Sequence, residues 1–279
     1  MRKLKRIIQG RAVSDGDGVR IRRIAGSQFN ALIDPFLMLD EINSDEAADY
    51  IGGFPEHPHR GMETITFMKA GRMRHRDHLG NEGVIGSGDV QWMTAGKGIL
   101  HSEMPEQESG LLHGFQLWLN LPAKEKMKPA AYLDIRASEI PSADLSLGGK
   151  VAVIAGVVRV DGVQTLKGVL PELSTQPVMI DVSLSANEAV NLQFNSDFSA
   201  LVYVMKGELS GEEGFTFGHM GIYSDGDTLT LKAGNKGASM LILSGKPLKE
   251  PIAQYGPFVM NTRTEIDQAI NDFRAGRFV

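Results

Sequence analysis

The sequence predicts an all-β protein built from two tandem barrel-like domains and one short C-terminal helix. Its short apolar stretches alternate with period two and are separated by turn residues, which include 32 glycines and 12 prolines. This pattern is typical of many short antiparallel strands. With 279 residues and a hydrophobic content of 42%, the chain is long enough for about two domains that each have an ordinary core.

Several stretches have the alternation and the residue content of strands. They are residues 64–69, 89–94, 114–119, 151–158, 178–184, 200–205, 228–232 and 238–243. Helical periodicity is confined to the tail of the sequence. There Thr262 and Glu265 have the spacing of a capping box, and Gly276 follows the last apolar position. We therefore expect a single short helix close to the C-terminus.

A repeated pattern of turn residues indicates that the two domains are copies of one fold. Segment 88–96 begins with GD and ends with AG, and segment 226–234 does the same 138 positions later. Segment 68–71 (MKAG) resembles segment 204–207 (VMKG), which is displaced by 136 positions. The shared order and the similar offset favour a duplicated all-β domain.

The boundary between the domains is predicted near residues 132–137, after the segment 122–129, which is rich in lysine and alanine. The N-terminal domain then spans residues 1–133. The C-terminal domain spans residues 134–279 and includes the helix. Because two fused domains can cover each other's sheet edges within one chain, we expect a monomer.

Composition excludes several classes of function. The net charge of -5, from 29 basic and 34 acidic residues, gives no basis for binding nucleic acid or an anionic membrane. The absence of cysteine excludes disulfides, zinc–thiolate sites, iron–sulfur clusters and thiol nucleophiles. No apolar run has the length of a membrane span, and the N-terminus lacks the apolar core of a signal peptide. We therefore expect a cytoplasmic protein.

Two pairs of side chains have the spacing of a metal site. His57 and His59 are separated by one residue, so on an extended strand both imidazoles point to the same face. His101 and Glu103 have the same spacing. Three neutral imidazoles and one carboxylate can hold a redox-capable ion and leave positions open for other ligands. We therefore predict one metal ion bound by His57, His59, His101 and Glu103.

The predicted repeat supports this site. A single H-x-H pair is often incidental polarity on a protein surface. When the two copies are aligned, Gln193 and Asn195 take the positions of the histidine pair, and Ser239 and Leu241 take those of the histidine–glutamate pair. The C-terminal copy keeps the turn residues and loses every candidate ligand. This difference indicates that the four residues serve a purpose beyond folding.

Several long motifs together cover nearly the whole chain. They are DPF at 34–36, FPEHPHRG at 54–61, GDVQWMTAGKGILH at 88–101, SEMP at 102–105, QLWLNLP at 116–122, EPIAQYGPFVMNTR at 250–263 and GRF at 276–278. These motifs resemble the pirin family. The resemblance implies two tandem cupin (jelly-roll-like) β-barrels with a metal, usually iron, in the N-terminal barrel only. It implies that the ligands are the residues at 57, 59, 101 and 103.

The identity of the carboxylate ligand is open on spacing alone. The general cupin pattern of HxH, three residues and Glu points to Glu63, whereas the pirin resemblance points to Glu103. Each glutamate is an even number of residues from its neighbouring histidine, which would place both side chains on the same face of a strand. Spacing therefore does not choose between the two glutamates. We follow the closer family match and expect Glu63 to orient a ligand histidine or to be a buried, hydrogen-bonded acid.

The resemblance also implies a chemistry. Bacterial pirins are similar to quercetin 2,3-dioxygenases, which cleave the central flavonol ring and release carbon monoxide. We therefore expect a flavonol-like aromatic substrate, dioxygen and a divalent metal, first Fe(II), with Ni, Cu, Zn or Mn as alternatives. We expect Glu103 to take the proton of the substrate's enol oxygen. The alternative is a non-enzymatic, redox-responsive regulator that acts through contacts with a protein partner.

The remaining histidines and the tryptophans are expected to have other roles. His75 lies in a segment that resembles the pirin family, but Arg76 and His78 depart from the family there, so its contact with the pocket is left open. His113 is expected to form a structural hydrogen bond. Trp118, like the other tryptophan, is expected to fill core space, with pocket lining as the alternative.

Overall fold

The computed structural model describes residues 1–211 and 214–279, and in these ranges β-strands dominate the regular structure. This confirms the predicted all-β class. The strands, in chain order, are β1 Leu4–Gln9, β2 Arg11–Asp15, β3 Val19–Ala25, β4 Phe36–Ser44, β5 Phe54–His59, β6 Met62–Ala70, β7 Met73–Asp77, β8 Glu82–Ile85, β9 Val90–Thr94, β10 Ile99–Pro105, β11 Leu112–Asn120, β12 Ala131–Ile135, β13 Ser142–Asp144, β14 Lys150–Ala155, β15 Val157–Val160, β16 Gln164–Lys167, β17 Val178–Leu184, β18 Ala189–Gln193, β19 Ser199–Leu209, β20 His219–Tyr223, β21 Thr228–Gly245, β22 Ala253–Tyr255 and β23 Phe258–Met260. The α-helices are α1 Asn30–Ile33 and α2 Arg263–Arg274.

Each stretch predicted as a strand overlaps a strand of the structure. The segment 178–184 coincides with β17, and the segment 151–158 is divided between β14 and β15. The segments 228–232 and 238–243 belong to one long strand, β21, in place of two strands joined by a turn. The reason is that β21 pairs with β18 over its first part and with β17 and β19 over its second part, so the chain bends without leaving the sheet.

Helix α2 begins as the sequence predicts. The hydroxyl of Thr262 accepts a hydrogen bond from the backbone N–H of Glu265 at 3.3 Å. The carboxylate of Glu265 accepts one from the backbone N–H of Thr262 at 2.8 Å, which completes a capping box. Ile266 and Ala269 are buried, and Gly276 has a φ of +67° just beyond the helix. In the described ranges no helix has the length and apolar character needed to cross a bilayer.

The landmarks of the predicted repeat occupy equivalent places in the two halves of the chain. Strand β6 ends just before Gly71, and β19 carries Gly207 near its end; both glycines have positive φ values, of +84° and +73°. Gly88 and Gly226 also have positive φ and lie just before β9 and β21. The same sequence of strand, turn and strand therefore recurs.

The described residues form two compact units, each of which is discontinuous in sequence. The C unit contains Met1–Gly10, Ala31–Pro35 and Ser138–Pro247, and the N unit contains Arg11–Asn30, Phe36–Ala137 and Leu248–Val279. The boundary expected between residues 133 and 134 stays a prediction. The units differ from that division because β1 pairs with β20 in the C unit, whereas α2 packs on β22 and β23 in the N unit.

The C unit is built around one large antiparallel sheet. Its strand order is β1-β20-β19-β21-β17-β14-β13, and β18 connects it to β15 and β16. Inward-facing aliphatic side chains form a core of their own, in which Val153, Ile180, Val202 and Met240 are fully buried. The alternation of these residues along their strands follows from the two-residue period of a strand.

The N unit contains two antiparallel sheets. The large sheet has the order β12-β9-β6-β11-β4-β3-β2, and the small sheet has the order β5-β10-β7-β8. Side chains of the two sheets meet: the ring of His59 on β5 packs edge-on against Trp118 on β11, with centroids 5.1 Å apart. The space between these two sheets contains the candidate site.

Candidate metal centre

Three histidine side chains of the small sheet converge on one point. His57 and His59 lie on β5, and His101 lies opposite His57 on the neighbouring strand β10. The Nε2 atom of His57 is 3.0 Å from Nε2 of His59 and 3.0 Å from Nε2 of His101. One ring nitrogen from each residue lies within 4.8 Å of the other two. We call these three residues the histidine cluster; they could hold a metal ion.

Strand geometry produces this convergence. Residues i and i+2 of β5 face the same way, and antiparallel pairing places His101 across from His57. Pro58 and Leu100, which are next to these histidines in sequence, pair with each other and point to the opposite face of the sheet. There Leu100 packs against the apolar cluster that includes Phe258. The apolar contact on one face therefore fixes the orientation of the histidines on the other.

The imidazoles of the cluster are held in the form that binds metals. Nδ1 of His57 lies 2.8 Å from the carbonyl oxygen of Pro55, which can only accept, so Nδ1 carries the proton and Nε2 presents its lone pair. Burial, and then the neighbouring histidines, hold the pKa of His59 and His101 well below 6.5. Three neutral nitrogen donors facing one another suit a divalent cation. The donor set therefore fits a metal ion.

His75 contacts the cluster from behind. Its Nε2 lies 2.9 Å from Nδ1 of His101, its side chain is 2% exposed, and its ring packs edge-on against Tyr132. When Nε2 of His101 presents a lone pair to the cluster, its Nδ1 carries the proton and donates to His75. Sequence reasoning left the role of His75 open. The relevant signal is the pairing of β7 with β10, which the sequence alone does not reveal.

Glu103 lies beside the cluster but is not one of its members. Its Oε2 accepts a hydrogen bond from Nε2 of Gln116 at 2.7 Å, and its Oε1 shares the Thr66 hydroxyl proton, at 3.1 Å, with Oε1 of Gln116 at 2.7 Å. Both donors belong to the large sheet. The register of β10 against β7 is regular from His101 to Glu103, so the two side chains share one face of β10, as their spacing predicts. The role of Glu103 as a metal ligand stays a prediction.

Glu63, the alternative carboxylate, is engaged elsewhere. Its Oε1 lies 2.9 Å from Nζ of Lys128, and its side chain is 1% exposed. Burial raises the pKa of Glu63, and the charge of Lys128 opposes this shift. Glu103 lines the cavity described next, together with His57 and His59. Of the two carboxylates, Glu103 therefore has the position suited to chemistry at the cluster.

A cavity of about 520 Å³ opens beside the histidine cluster within the N unit. Its volume lies in the range of roughly 300–1,000 Å³ that is typical of small-molecule sites. Apolar side chains from both sheets form much of its wall. They include Ile21, Met38, Ile42, Phe54, Met68, Met73, Leu112, Phe115 and Trp118. Trp118 lines the cavity and contacts His59, which is the alternative to the core packing expected for it.

Hairpin β22–β23 supplies another part of the cavity wall through residues 254, 256 and 257. Arg60, the residue after His59, holds the C-terminal segment of the N unit in place. Its Nη1 lies 2.8 Å from the carboxylate of Asp272, its Nη2 donates to the carbonyl of Phe278 at 3.1 Å, and its guanidinium stacks on the Phe278 ring. Residues 248–279 therefore belong structurally to the metal centre, although they lie far from it in sequence.

Comparison with known proteins shows the family. Residues 18–119 match the Pirin family, and residues 179–279 match the Pirin C-terminal cupin domain. The chain belongs to the pirin family. The resemblance noted in the sequence motifs is thereby confirmed, and so is the two-cupin fold that it implies for this pirin.

Similar proteins match this pirin over almost its full length. A Vibrio cholerae protein provisionally named a quercetin 2,3-dioxygenase is 45% identical, covering 99% of this chain and 98% of the relative. A Pseudomonas aeruginosa protein with the same provisional name is 47% identical, and the match covers 96% of this chain and 94% of the relative. The crystal structure of a quercetin 2,3-dioxygenase from Acinetobacter baumannii has a TM-score of 0.91 and 34% identity, covering 100% of this chain and 98% of that one.

Proposed function

We propose that this pirin is a metal-dependent dioxygenase that cleaves flavonols such as quercetin with release of carbon monoxide. The observation that carries the proposal is the histidine cluster, which opens onto an apolar cavity with the carboxylate of Glu103 on its wall. The names of the relatives that match nearly the whole chain support it.

In this proposal His57, His59 and His101 hold the ion, and Glu103 is either a further ligand or the base beside it. When bound, a divalent metal supplies the redox and Lewis-acid chemistry that lets dioxygen react with an electron-rich aromatic ring. Imidazole nitrogen with carboxylate oxygen suits Fe(II), and the same donors accept Ni, Cu, Zn or Mn. We propose that the ion is Fe(II), which metal analysis tests. We also propose that the protein is cytoplasmic and monomeric, which cell fractionation and gel filtration test.

Glu103 is the proposed acceptor of the substrate's proton. Hydrogen bonds from Thr66 and Gln116 orient its carboxylate, and each oxygen retains a lone pair for one further donor. Transfer of the proton from the flavonol's enol hydroxyl to a Glu103 oxygen leaves an enolate, whose extra electron density favours reaction with dioxygen. The apolar side chains of Phe115 and Trp118 exclude water from this step.

The test is to measure metal content, oxygen uptake and carbon monoxide release with quercetin for the purified protein. We expect His101→Ala to lose both metal and turnover, and Glu103→Gln to lower turnover strongly. The matched control is His219→Ala, because His219 lies in the C unit and its Nδ1 contacts only backbone carbonyls among the described residues. Full turnover in the His101→Ala variant would contradict the proposal. Metal binding without any turnover would favour the regulator.

A further inference from the structure

Four polar side chains form a continuous row across the cavity face of the large sheet. Thr66 on β6 pairs with Gln116 on β11, Gln116 pairs with Asp40 on β4, and Asp40 pairs with Arg23 on β3. All four line the cavity. Because neighbouring strands are about 4.8 Å apart, this polar row extends over roughly 14 Å.

Apolar side chains flank the polar row on both sides. Each flanking side chain is two residues away from a member of the row on the same strand. Met38 and Trp118 lie on one side of the row, and Ile42 and Met68 lie on the other. All four also line the cavity. A polar stripe between two apolar stripes is complementary to a flat molecule that has apolar faces and polar groups at its edge. Hydroxylated aromatic compounds have this form.

The polar row has two chemically different ends. At one end lies the carboxylate of Glu103, beside the histidine cluster. At the other end Arg23 donates to both oxygens of Asp40, from Nε at 3.0 Å and from Nη2 at 2.7 Å. Nη2 of Arg23 also donates to Asp15 at 2.8 Å. We call Asp15, Arg23 and Asp40 the Asp40 subsite; with two carboxylates and one guanidinium it is net negative.

The charges of the Asp40 subsite define which group it can bind. Oδ2 of Asp40 accepts hydrogen bonds from Nη2 and Nε of Arg23, at 2.7 and 3.3 Å, whereas Oδ1 accepts one from Nε, at 3.0 Å, and retains a lone pair for another donor. A neutral hydroxyl can donate to this carboxylate, and hydrogen bonds to an ionised acceptor are stronger than those between neutral groups. A carboxylate or sulfate group on the ligand would meet the excess negative charge and be repelled.

We propose that the Asp40 subsite binds a neutral hydroxyl group at the end of the substrate that is distant from the reacting ring. This inference rests on the proposed function. Asp40 lies one strand from Gln116 and two strands from Thr66, so about 5–10 Å separates it from the Glu103 end of the row. That distance corresponds to one further aromatic ring. The enzyme therefore selects flavonols whose pendant ring carries a hydroxyl group.

The experiment compares two flavonols that differ in this one group: kaempferol, which has a hydroxyl on its pendant ring, and galangin, which has none. We expect the wild-type protein to favour kaempferol by about 10- to 100-fold in kcat/KM, as for a hydrogen bond to a charged group. In Asp40→Asn the ratio should fall several-fold toward one. Dividing the wild-type ratio of kcat/KM values by the ratio of the variant cancels the difference in intrinsic reactivity between the two flavonols.

The matched control is Asp89→Asn, because Asp89 also pairs with an arginine, Arg136, and does not line the cavity. We expect this variant to keep the wild-type ratio. A ratio near one in the wild-type protein would overturn the proposal, and so would an unchanged ratio in folded Asp40→Asn. Since Asp40 is buried, its replacement could impair folding. The half-exposed Asp15 provides a second variant, Asp15→Asn, which should relax the wild-type repulsion of a flavonol with a carboxylate on the pendant ring.

Binding without turnover separates this proposal from the proposed function. Dissociation constants for the same flavonols are measured under anaerobic conditions. Weaker binding of galangin than of kaempferol, and still weaker binding of the carboxylated flavonol, would support the Asp40 subsite even if no carbon monoxide is released. Equal dissociation constants for all three would reject the subsite, whether or not the protein proves to be a dioxygenase.

Discussion

Nε2 of His75 lies 2.9 Å from Nδ1 of His101, so a histidine outside the cluster is placed to accept a hydrogen bond from His101. His101 can direct a lone pair from Nε2 into the cluster only while Nδ1 carries the proton, and an acceptor facing Nδ1 stabilises that tautomer. His75 supplies that acceptor and is itself fixed by burial against Tyr132. Metal affinity should therefore depend on a residue that does not touch the ion.

Replacement of His75 by Phe should lower metal affinity about 10- to 100-fold, because partners of ligand histidines have effects of this size. The measurement is a competition titration with a chelator of known affinity. His113→Phe is the control: His113 is also a largely buried histidine, but it bonds to Glu41 at 3.0 Å and not to the cluster. Equal affinities in His75→Phe and wild type would show that His101 is oriented by other contacts.

Replacement of Gln116 by Leu should lower turnover about tenfold and leave metal content unchanged. Gln116 donates to Oε2 of Glu103 at 2.7 Å, and removing this bond frees the carboxylate to rotate away from the substrate. Steady-state kinetics with quercetin, together with metal analysis, provide the test. The control is Gln193→Leu, the same substitution on a strand of the C unit, which should leave turnover unchanged. A loss of metal in Gln116→Leu would instead indicate that Glu103 is a ligand.

The metal-free protein should lose stability as the pH falls below about 6.5. Burial lowers the pKa of His59 and His101 in the folded state, so on acidification the unfolded chain takes up protons before the folded chain does. The free energy of unfolding then falls by up to about 1.4 kcal/mol per histidine and per pH unit, until the folded pKa is reached. Urea unfolding of wild type and His101→Gln checks this. The variant should show the smaller decrease.

Lys126 should make stability rise at alkaline pH. Its Nζ bonds to the carbonyls of Gly61 and Val259 and to the side chain of Asn120, and burial lowers the pKa of Lys126 from 10.5 to about 8, with two nearby glutamates opposing the shift. Between these values the unfolded chain binds more protons, so the free energy of unfolding increases with pH, by about 2 kcal/mol from pH 7.5 to 9.5. Lys126→Met should lack this increase.

The control for Lys126 is the exposed Lys150, whose replacement by methionine should leave the pH dependence of unfolding as in wild type. Lys126→Met also removes a donor from three oxygen atoms, so we expect it to be less stable than wild type near neutral pH. An identical alkaline increase in wild type and Lys126→Met would mean that other groups cause it.

The sequence predicts those parts of the centre that depend on local geometry. The i, i+2 spacing of His57 and His59 is sufficient to place both rings on one face, because a strand has a two-residue period. The capping box at Thr262 is likewise local. The hydrogen-bond partners of Glu103 are not local, since Thr66 and Gln116 lie on strands of the other sheet. Spacing therefore predicts the face that Glu103 shares with His101, whereas the contacts that orient its carboxylate depend on how the two sheets pack.

The polar row could not be predicted from spacing. Its members, Arg23, Asp40, Thr66 and Gln116, lie on four strands that are adjacent in the sheet but separated along the chain. The side-chain alternation of each strand predicts only that these residues share a face with their neighbours at i+2. Which strands pair, and in which register, depends on the whole fold. The same reason explains why the sequence did not choose between core packing and cavity lining for Trp118.

The N unit is assembled from residues 11–30, 36–137 and 248–279, and the last of these segments provides hairpin β22–β23. During synthesis, the strands that carry the histidines therefore leave the ribosome well before the hairpin that shields them. A nascent chain halted before residue 248 would expose the three imidazoles without this part of their surroundings. We therefore expect the complete surroundings of the histidine cluster to form only after residues 248–279 have been synthesised.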